Sequence, residues 1–144
     1  MEISVGFKFK PFSKKQKKVL TWWLDNSPVH NMDGIIADGA IRSGKTLCMS
    51  LSYAFWAMEN FNGHNFGMCG KTIGSFRRNV LFWLKIMLMS RGYVVEDKRS
   101  DNLLVVNRGN ITNYFYIFGS NDELWQHVLQ LIILRVHLFD EIPL

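Results

Sequence analysis

The chain has 144 residues, of which 48% are hydrophobic and 14% aromatic, and its formal net charge is +5 at pH 7. This length predicts one domain, and the apolar share excludes an intrinsically disordered protein. The sequence offers no apolar run that could span a bilayer and no signal-peptide pattern. Cys48 and Cys69 lack the spacing of metal ligands, so we expect a cytoplasmic protein with buried free thiols.

The first predicted elements are a helix, a strand and a second helix. Ser13 and Gln16 fit a capping box, and apolar residues then recur at helical spacing, which predicts a helix that ends at residues 26–28. Residues 34–38 form a short apolar run typical of a buried strand. Residues 46–61 are apolar nearly all round, which predicts a buried helix.

Strands and helices also alternate in the second half of the chain. We expect strands at residues 65–70, 111–118 and 134–139, a helix at 75–91, a hairpin of 93–95 with 103–106, and a short helix near 124–129. The helix at 75–91 should bury one face, made of Val80, Leu81, Leu84, Met87 and Leu88. This order predicts an α/β domain with a mainly parallel sheet sandwiched by helices.

A phosphate-binding loop is predicted between the first strand and the second helix. The pattern Gly-x-x-x-x-Gly-Lys-Thr is met by Gly39, Ala40, Ile41, Arg42, Ser43, Gly44, Lys45 and Thr46. In this P-loop pattern the backbone N–H groups surround the phosphates, and the positive end of the following helix adds to the attraction. Lys45 would contact the outer phosphates and Thr46 would ligate Mg²⁺, which predicts ATP and magnesium as ligands.

Arg42 has two interpretations. It could contact the γ-phosphate of its own nucleotide as a cis arginine finger, or it could be a solvated loop residue.

An acidic pair follows the last predicted strand. Asp140 and Glu141 would lie at its carboxyl end, where open α/β sheets bind their ligands. Asp140 would hold magnesium, and Glu141 would orient and deprotonate the attacking water, which favours ATP hydrolysis. Two exposed acids without a catalytic role are the alternative, because Arg135 and His137 interrupt a run that a central parallel strand would keep apolar.

With these residues in place, the chain resembles the N-terminal ATPase part of tailed-phage terminase large subunits. The resemblance is carried by residues 12–16, 38–46, 70–80, 119–123 and 138–144. It implies a P-loop NTPase fold of the ASCE type, incomplete at the C-terminus. Residues 1–144 would be a partial ATPase domain without the nuclease domain, serving a motor that pumps DNA into procapsids.

The resemblance also implies roles for single residues. Lys45 and Thr46 would bind phosphate and magnesium, Asp140 would be the Walker B acid, and Glu141 the catalytic base. Phe12 and Gln16 match the adenine-recognition segment, although the capping box explains Gln16 equally well. Leu131 and Val136 stand where the family tends to have glycines.

The partners implied by the resemblance are double-stranded DNA, the small terminase subunit, the portal protein and further copies of the chain in a homo-oligomeric ring. No membrane is involved, and the site of action would be the host cytoplasm, at the procapsid portal. A helicase-like or replication ATPase and an inactive truncated nucleotide-binding relic are the alternatives.

Two groups of basic residues have either a DNA-contacting or a merely solvated interpretation. One is the N-terminal set of Lys8, Lys10, Lys14, Lys15, Lys17 and Lys18. Lysine contacts to phosphate are sequence-independent, which suits a translocating motor. The other is Arg77 and Arg78, for which a solvated helix start is the favoured interpretation. The four histidines show no ligand spacing, so zinc is not expected.

Overall fold

The computed structural model describes residues 11–32, 45–119 and 134–139, the last segment and Lys45 by backbone alone. In chain order the elements are α1 (Lys14–Leu20), α2 (Lys45–Asn60), β1 (Asn65–Gly70), α3 (Ile73–Phe76), a π-helical turn (Arg77–Leu81), α4 (Phe82–Ser90), β2 (Val94–Lys98), a 3-10 turn (Arg99–Asp101), β3 (Leu103–Arg108), β4 (Ile111–Gly119) and β5 (Leu134–Phe139). The strand expected at 34–38 and the helix expected at 124–129 lie outside the described residues.

The sheet is mixed, with the strand order β2-β3-β4-β1-β5. β1 pairs in parallel with β4 and β5, whereas β3 pairs antiparallel with β2 and β4. The α/β class and the hairpin are confirmed, but among the described strands the sheet is not mainly parallel. The reason is local. Short connections that use Asn102 (φ 48°) and Gly109 (φ 60°) reverse the chain twice and leave no room for a crossover helix.

Helix α1 begins as predicted but ends earlier. The capping box is present, because the Ser13 N–H donates to Gln16 Oε1 at 2.9 Å and the Gln16 N–H donates to Ser13 Oγ at 3.2 Å. The prediction that the helix continues to about residue 26 was wrong. The carbonyl of Leu20 accepts from Trp23 Nε1 at 3.1 Å, and the Leu24 N–H donates to Thr21 instead, so the chain leaves the helix in a tighter turn.

One hydrophobic cluster joins the helices to the sheet. Phe66 of β1 stacks on Phe115 of β4 with ring centroids 5.2 Å apart, and Tyr53 of α2 meets both rings edge-on. The buried face predicted for the helix at residues 75–91 is confirmed. All five of its apolar residues are buried, namely Val80, Leu81, Leu84, Met87 and Leu88. The described helices and the inward-facing strand residues share this cluster. Helical cover is therefore seen for one face of the described sheet.

A buried amide fixes the connection from α2 to β1. Asn113 is fully buried, and its Nδ2 donates to the carbonyls of Phe61 at 2.9 Å and Ala57 at 3.3 Å. Its Oδ1 accepts from the His64 N–H at 3.1 Å. A buried amide with these partners satisfied holds the end of α2 against the start of β1.

Candidate functional site

Three parallel strands end together at one edge of the sheet. Gly70, the last residue of β1, is in register with Gly119, the last residue of β4, and Cys69 is in register with Phe139, the last residue of β5. The strand predicted at 134–139 is therefore confirmed, next to β1. Asp140 and Glu141 follow it in the sequence but lie outside the described residues, so their roles stay predictions. The carboxyl edge of parallel strands is the usual ligand edge of such sheets.

Helix α2 runs back toward the same edge. Near its C-terminal end it is held at the start of β1, and midway along it Tyr53 donates from its hydroxyl to the carbonyl of Gly67 at 3.2 Å. From Tyr53 back to Lys45 the helix covers about 12 Å, while β1 covers about 10 Å from Gly67 to Gly70. The start of α2 thus lies near the carboxyl ends of the strands, where a phosphate-loop helix would have to begin.

The first turn of α2 carries part of the predicted site. Thr46 is half-buried there, and its carbonyl accepts from Ser50 Oγ at 2.8 Å. The loop from Gly39 to Gly44, including Arg42, lies outside the described residues, as does the side chain of Lys45. Their contacts with phosphate and metal stay predictions.

Helix α1 lies beside the first two turns of α2. Cys48 Sγ donates to the carbonyl of Gln16 at 3.4 Å, and Ser52 Oγ donates to the carbonyl of Val19 at 2.6 Å. Phe12 is half-buried against the core. The segment predicted to recognise adenine is thus held close to the start of α2, but the contact with a base stays a prediction.

The buried thiols are confirmed, and their chemistry is passive. Burial raises the pKa of Cys48 to about 11 and also raises the pKa of Cys69. Both thiols are therefore neutral near pH 7, and a neutral thiol is a poor nucleophile. Neither cysteine is a candidate catalytic residue.

Two glycines let α3 begin directly over the carboxyl ends of the strands. A Cβ on Gly70 would lie 2.7 Å from the Cβ of Phe76, and one on Gly119 would lie 3.2 Å from the backbone nitrogen of Ile73. Thr72 caps α3 by accepting from the Ser75 N–H at 3.1 Å. The loop at Lys71 and Thr72 is thereby fixed at the ligand edge. The sequence singled out this segment, but the packing role of both glycines was missed.

An ion-pair cluster on the antiparallel side was also missed. Arg77 Nη1 contacts both carboxylate oxygens of Asp97, at 3.0 and 2.9 Å, and Lys85 Nζ lies 2.9 Å from Asp97 Oδ2. The favoured interpretation of Arg77 as solvated was wrong, because its side chain is only 12% exposed. It was correct for Arg78, which is exposed. An acid 20 residues away along the chain cannot be assigned to Arg77 from spacing alone.

The electrostatics of this cluster favour a charged Asp97. Burial alone would raise the pKa of its carboxyl, but hydrogen bonds and charge attraction from Lys85 and Arg77 outweigh burial and hold the pKa below its usual value. Asp97 is therefore a carboxylate at neutral pH, and it orients two cations.

The remaining basic residues of the described N-terminal segment lie at the surface. Lys14, Lys15, Lys17 and Lys18 of α1 are all exposed, as either interpretation of that set requires. In the segments that the structure covers, no helix has the length and apolarity needed to cross a membrane.

Three solved structures that are similar to this chain are of one phage protein. The large terminase from a thermophilic bacteriophage, in its second crystal form, is 59% identical with a TM-score of 0.88 over 92% of this chain. The same terminase in complex with ADP is 57% identical over 92% of the chain with a TM-score of 0.85. In complex with ATP-γ-S it is 49% identical over 90% with a TM-score of 0.77.

The match covers only part of the solved protein. The chain spans 32%, 33% and 38% of the three solved chains, respectively. No protein-family model and no curated protein matches the chain. The resemblance to a terminase large subunit is nevertheless confirmed by the identity and the structural agreement.

Proposed function

We propose that this chain, which belongs to the phage large terminase family, is part of an ATP-hydrolysing P-loop domain of the ASCE type that powers the packaging of DNA into procapsids. One observation carries the proposal: the phosphate-loop motif leads into α2, whose start lies near the carboxyl end of β1. The neighbour of β1 at this edge is β5, the strand that precedes Asp140 and Glu141. The complexes of the thermophilic-phage terminase with ADP and ATP-γ-S support an adenine nucleotide as the ligand.

The proposed ligands are ATP and Mg²⁺. The backbone from Gly39 to Gly44 and the ammonium group of Lys45 would hold the phosphates. The hydroxyl of Thr46 and the carboxylate of Asp140 are oxygen ligands of the kind magnesium prefers. When bound, the metal neutralises charge on the phosphate oxygens. The position of Thr46 in the first turn of α2 fits this donor set.

Hydrolysis would depend on Glu141. Its carboxylate would hold a water molecule in line with the γ-phosphorus and take one of its protons. The water oxygen forms the new bond to phosphorus while the bond to the bridging oxygen breaks, which yields ADP and phosphate. Phe12 and Gln16 would contact the adenine. Arg42 keeps its two interpretations, a cis finger or a solvated residue.

The partners of the motor are part of the proposal. Double-stranded DNA would be the cargo, and the small terminase subunit, the portal protein and further copies of the chain in a ring would complete the machine in the host cytoplasm. The chain spans 32% of the thermophilic-phage terminase in its second crystal form, so the complete motor requires more than these residues.

A Lys45→Ala variant tests the nucleotide site. Equilibrium dialysis with ATP and Mg²⁺ should show at least about tenfold weaker binding, because the outer phosphates lose their ammonium partner. Lys14→Ala, which removes an exposed lysine from α1, should bind ATP like the unaltered chain. Unchanged binding by Lys45→Ala would overturn the site.

A Glu141→Gln variant separates binding from chemistry. It should bind ATP normally and lose turnover, since the amide cannot accept the proton. If the unaltered chain binds ATP but shows no Mg²⁺-dependent phosphate release, the relic alternative is favoured over the motor.

A further inference from the structure

A cleft of about 300 Å³ opens between the helical segment after β1 and the antiparallel strands. Four cations line it, Arg77, Arg78, Lys85 and Arg99, together with the carboxylate of Asp97. Positive charge therefore exceeds negative charge in this cleft, which favours an anionic ligand.

The backbone at the cleft is unusual. Residues Arg77–Leu81 form a π-helical turn in which the Phe82 N–H donates to the carbonyl of Arg77. Turns of this kind are rare in proteins, and those that do occur often lie at functional sites. Here the turn and the residue after it supply Arg77, Arg78 and Phe82 to one cleft.

Arg77 is a fixed part of the cleft wall. Its Nη1 is occupied by Asp97, but its Nη2 is buried and has no hydrogen-bond partner among the residues that the structure describes. A buried guanidinium nitrogen without an acceptor is costly. Because Asp97 holds Arg77 in the wall and this nitrogen is shielded from solvent, the arginines that can meet a ligand are the exposed Arg78 and Arg99.

An aromatic ring lies among these cations. Phe82 is 52% exposed, and Trp83 meets its ring edge-on at a centroid distance of 5.1 Å. A second cleft, near Phe55 and Tyr93, differs because arginines already lie over both rings, at 5.5 and 5.0 Å. The ring of Phe82 has no such arginine over it among the described contacts.

We propose that this cleft binds single-stranded nucleic acid, with a base stacked on Phe82 and backbone phosphates on Arg78 and Arg99. Exposed aromatic rings between cations are the usual means of binding unpaired strands, because every base offers a face and every nucleotide a phosphate. A fully paired duplex keeps its bases stacked on each other and offers Phe82 no free face. The site goes beyond the proposed function, which concerns ATP and a double-stranded cargo.

Fluorescence anisotropy with the 144-residue chain tests this site. The probes are labelled oligothymidylate, an abasic oligonucleotide with the same number of phosphates, and a duplex of the same length. Phe82→Leu should weaken oligothymidylate binding about tenfold, the loss expected for one stacked base, and leave the abasic affinity unchanged. Met89→Ala, which alters another exposed residue of α4, should change neither.

The phosphate contacts are tested by a double variant. Arg78→Gln with Arg99→Gln should weaken both single-stranded probes and reduce their salt slope by about 1.4, which corresponds to two phosphate contacts. Arg91→Gln with Arg108→Gln removes two exposed arginines from the second cleft and should have no such effect. Circular dichroism of each variant checks folding.

Three results would overturn the proposal. The first is a duplex that binds more tightly than the single strand and is insensitive to Phe82→Leu, which would make the cleft a duplex contact. The second is an equal loss in both double variants, which would mean non-specific charge attraction. The third is unchanged oligothymidylate binding in every folded variant. None of these outcomes depends on ATP binding, so the failure of either proposal is distinguishable from that of the other.

Discussion

The two halves of the sheet bury their strands differently. In the parallel half, five of the six residues of β1 are buried, whereas in the antiparallel half no residue of β2 is fully buried. β1 lies between β4 and β5, whereas β2 is the edge strand of the described sheet, and an antiparallel edge can expose one face. The antiparallel strand β3 still contributes Leu104 and Val106 to the core. The contrast is therefore between the inner strand β1, which stabilises the fold and ends at the ligand edge, and the edge strand β2, which can carry charge.

The test with the largest expected effect on stability shortens a buried side chain in the core. Phe66→Ala removes a fully buried ring that stacks on Phe115, and it should lower the free energy of unfolding by about 3–5 kcal/mol. Val94→Ala in β2, at a residue that is 64% exposed, should change it by less than about 0.5 kcal/mol. Urea unfolding measures both. Similar losses in the two variants would contradict this contrast between β1 and β2.

A second test adds one methyl group at the ligand edge. Gly70→Ala places a Cβ 2.7 Å from the Cβ of Phe76, which the backbone holds in place, and should cost about 1–3 kcal/mol. Gly74→Ala is the matched control, because its Cβ meets only the end of the Arg78 side chain at 3.3 Å. That variant should be neutral or slightly stabilising, since alanine favours helices. Thermal unfolding distinguishes the two, and an equal change would argue against tight packing at Gly70.

The smallest test concerns charge in the antiparallel half. Asp97→Asn leaves Arg77 and Lys85 without their anion and should cost about 1.5 kcal/mol at pH 7. Because the pKa of Asp97 is lowered on folding, the ion pair stabilises above the ordinary pKa of about 3.9 and is lost as pH falls through the lowered value. The difference between the variant and the unaltered chain should therefore shrink below about pH 4. A difference that is constant from about pH 3 to pH 7 would rule out this ion pair as its source.

Local patterns predicted the elements better than their pairing. The capping box at Ser13 and the buried face of the helix that contains Leu84 follow from spacing alone, and both are present. The end of α1 depended on a side chain, Trp23, that took a backbone acceptor, which periodicity does not reveal. The mixed sheet depended on tight turns whose handedness is set by single residues such as Gly109.

The sequence predicted which type of ligand the candidate site would bind, but not the tertiary contacts that hold the site in place. The motif around Lys45 is enough to predict a nucleotide loop, because few other folds need that spacing of glycines and a lysine. The contact of Gly70 with Phe76 and the partnership of Arg77 with Asp97 join residues that are distant in sequence or in different elements. Such contacts depend on the folded geometry and leave no local pattern.

The π-helical turn has a consequence for the length of the chain. Its i to i+5 hydrogen bond encloses one residue more than an α-helical turn. Loss of exposed Asn79 would convert the turn to α-helix and leave both flanking segments in their present orientation. The same loss within α2 would rotate everything beyond it by about 100° and expose the core. Length variation among relatives of this protein should therefore concentrate in this turn, where evolution can insert or delete a residue without repacking the interior.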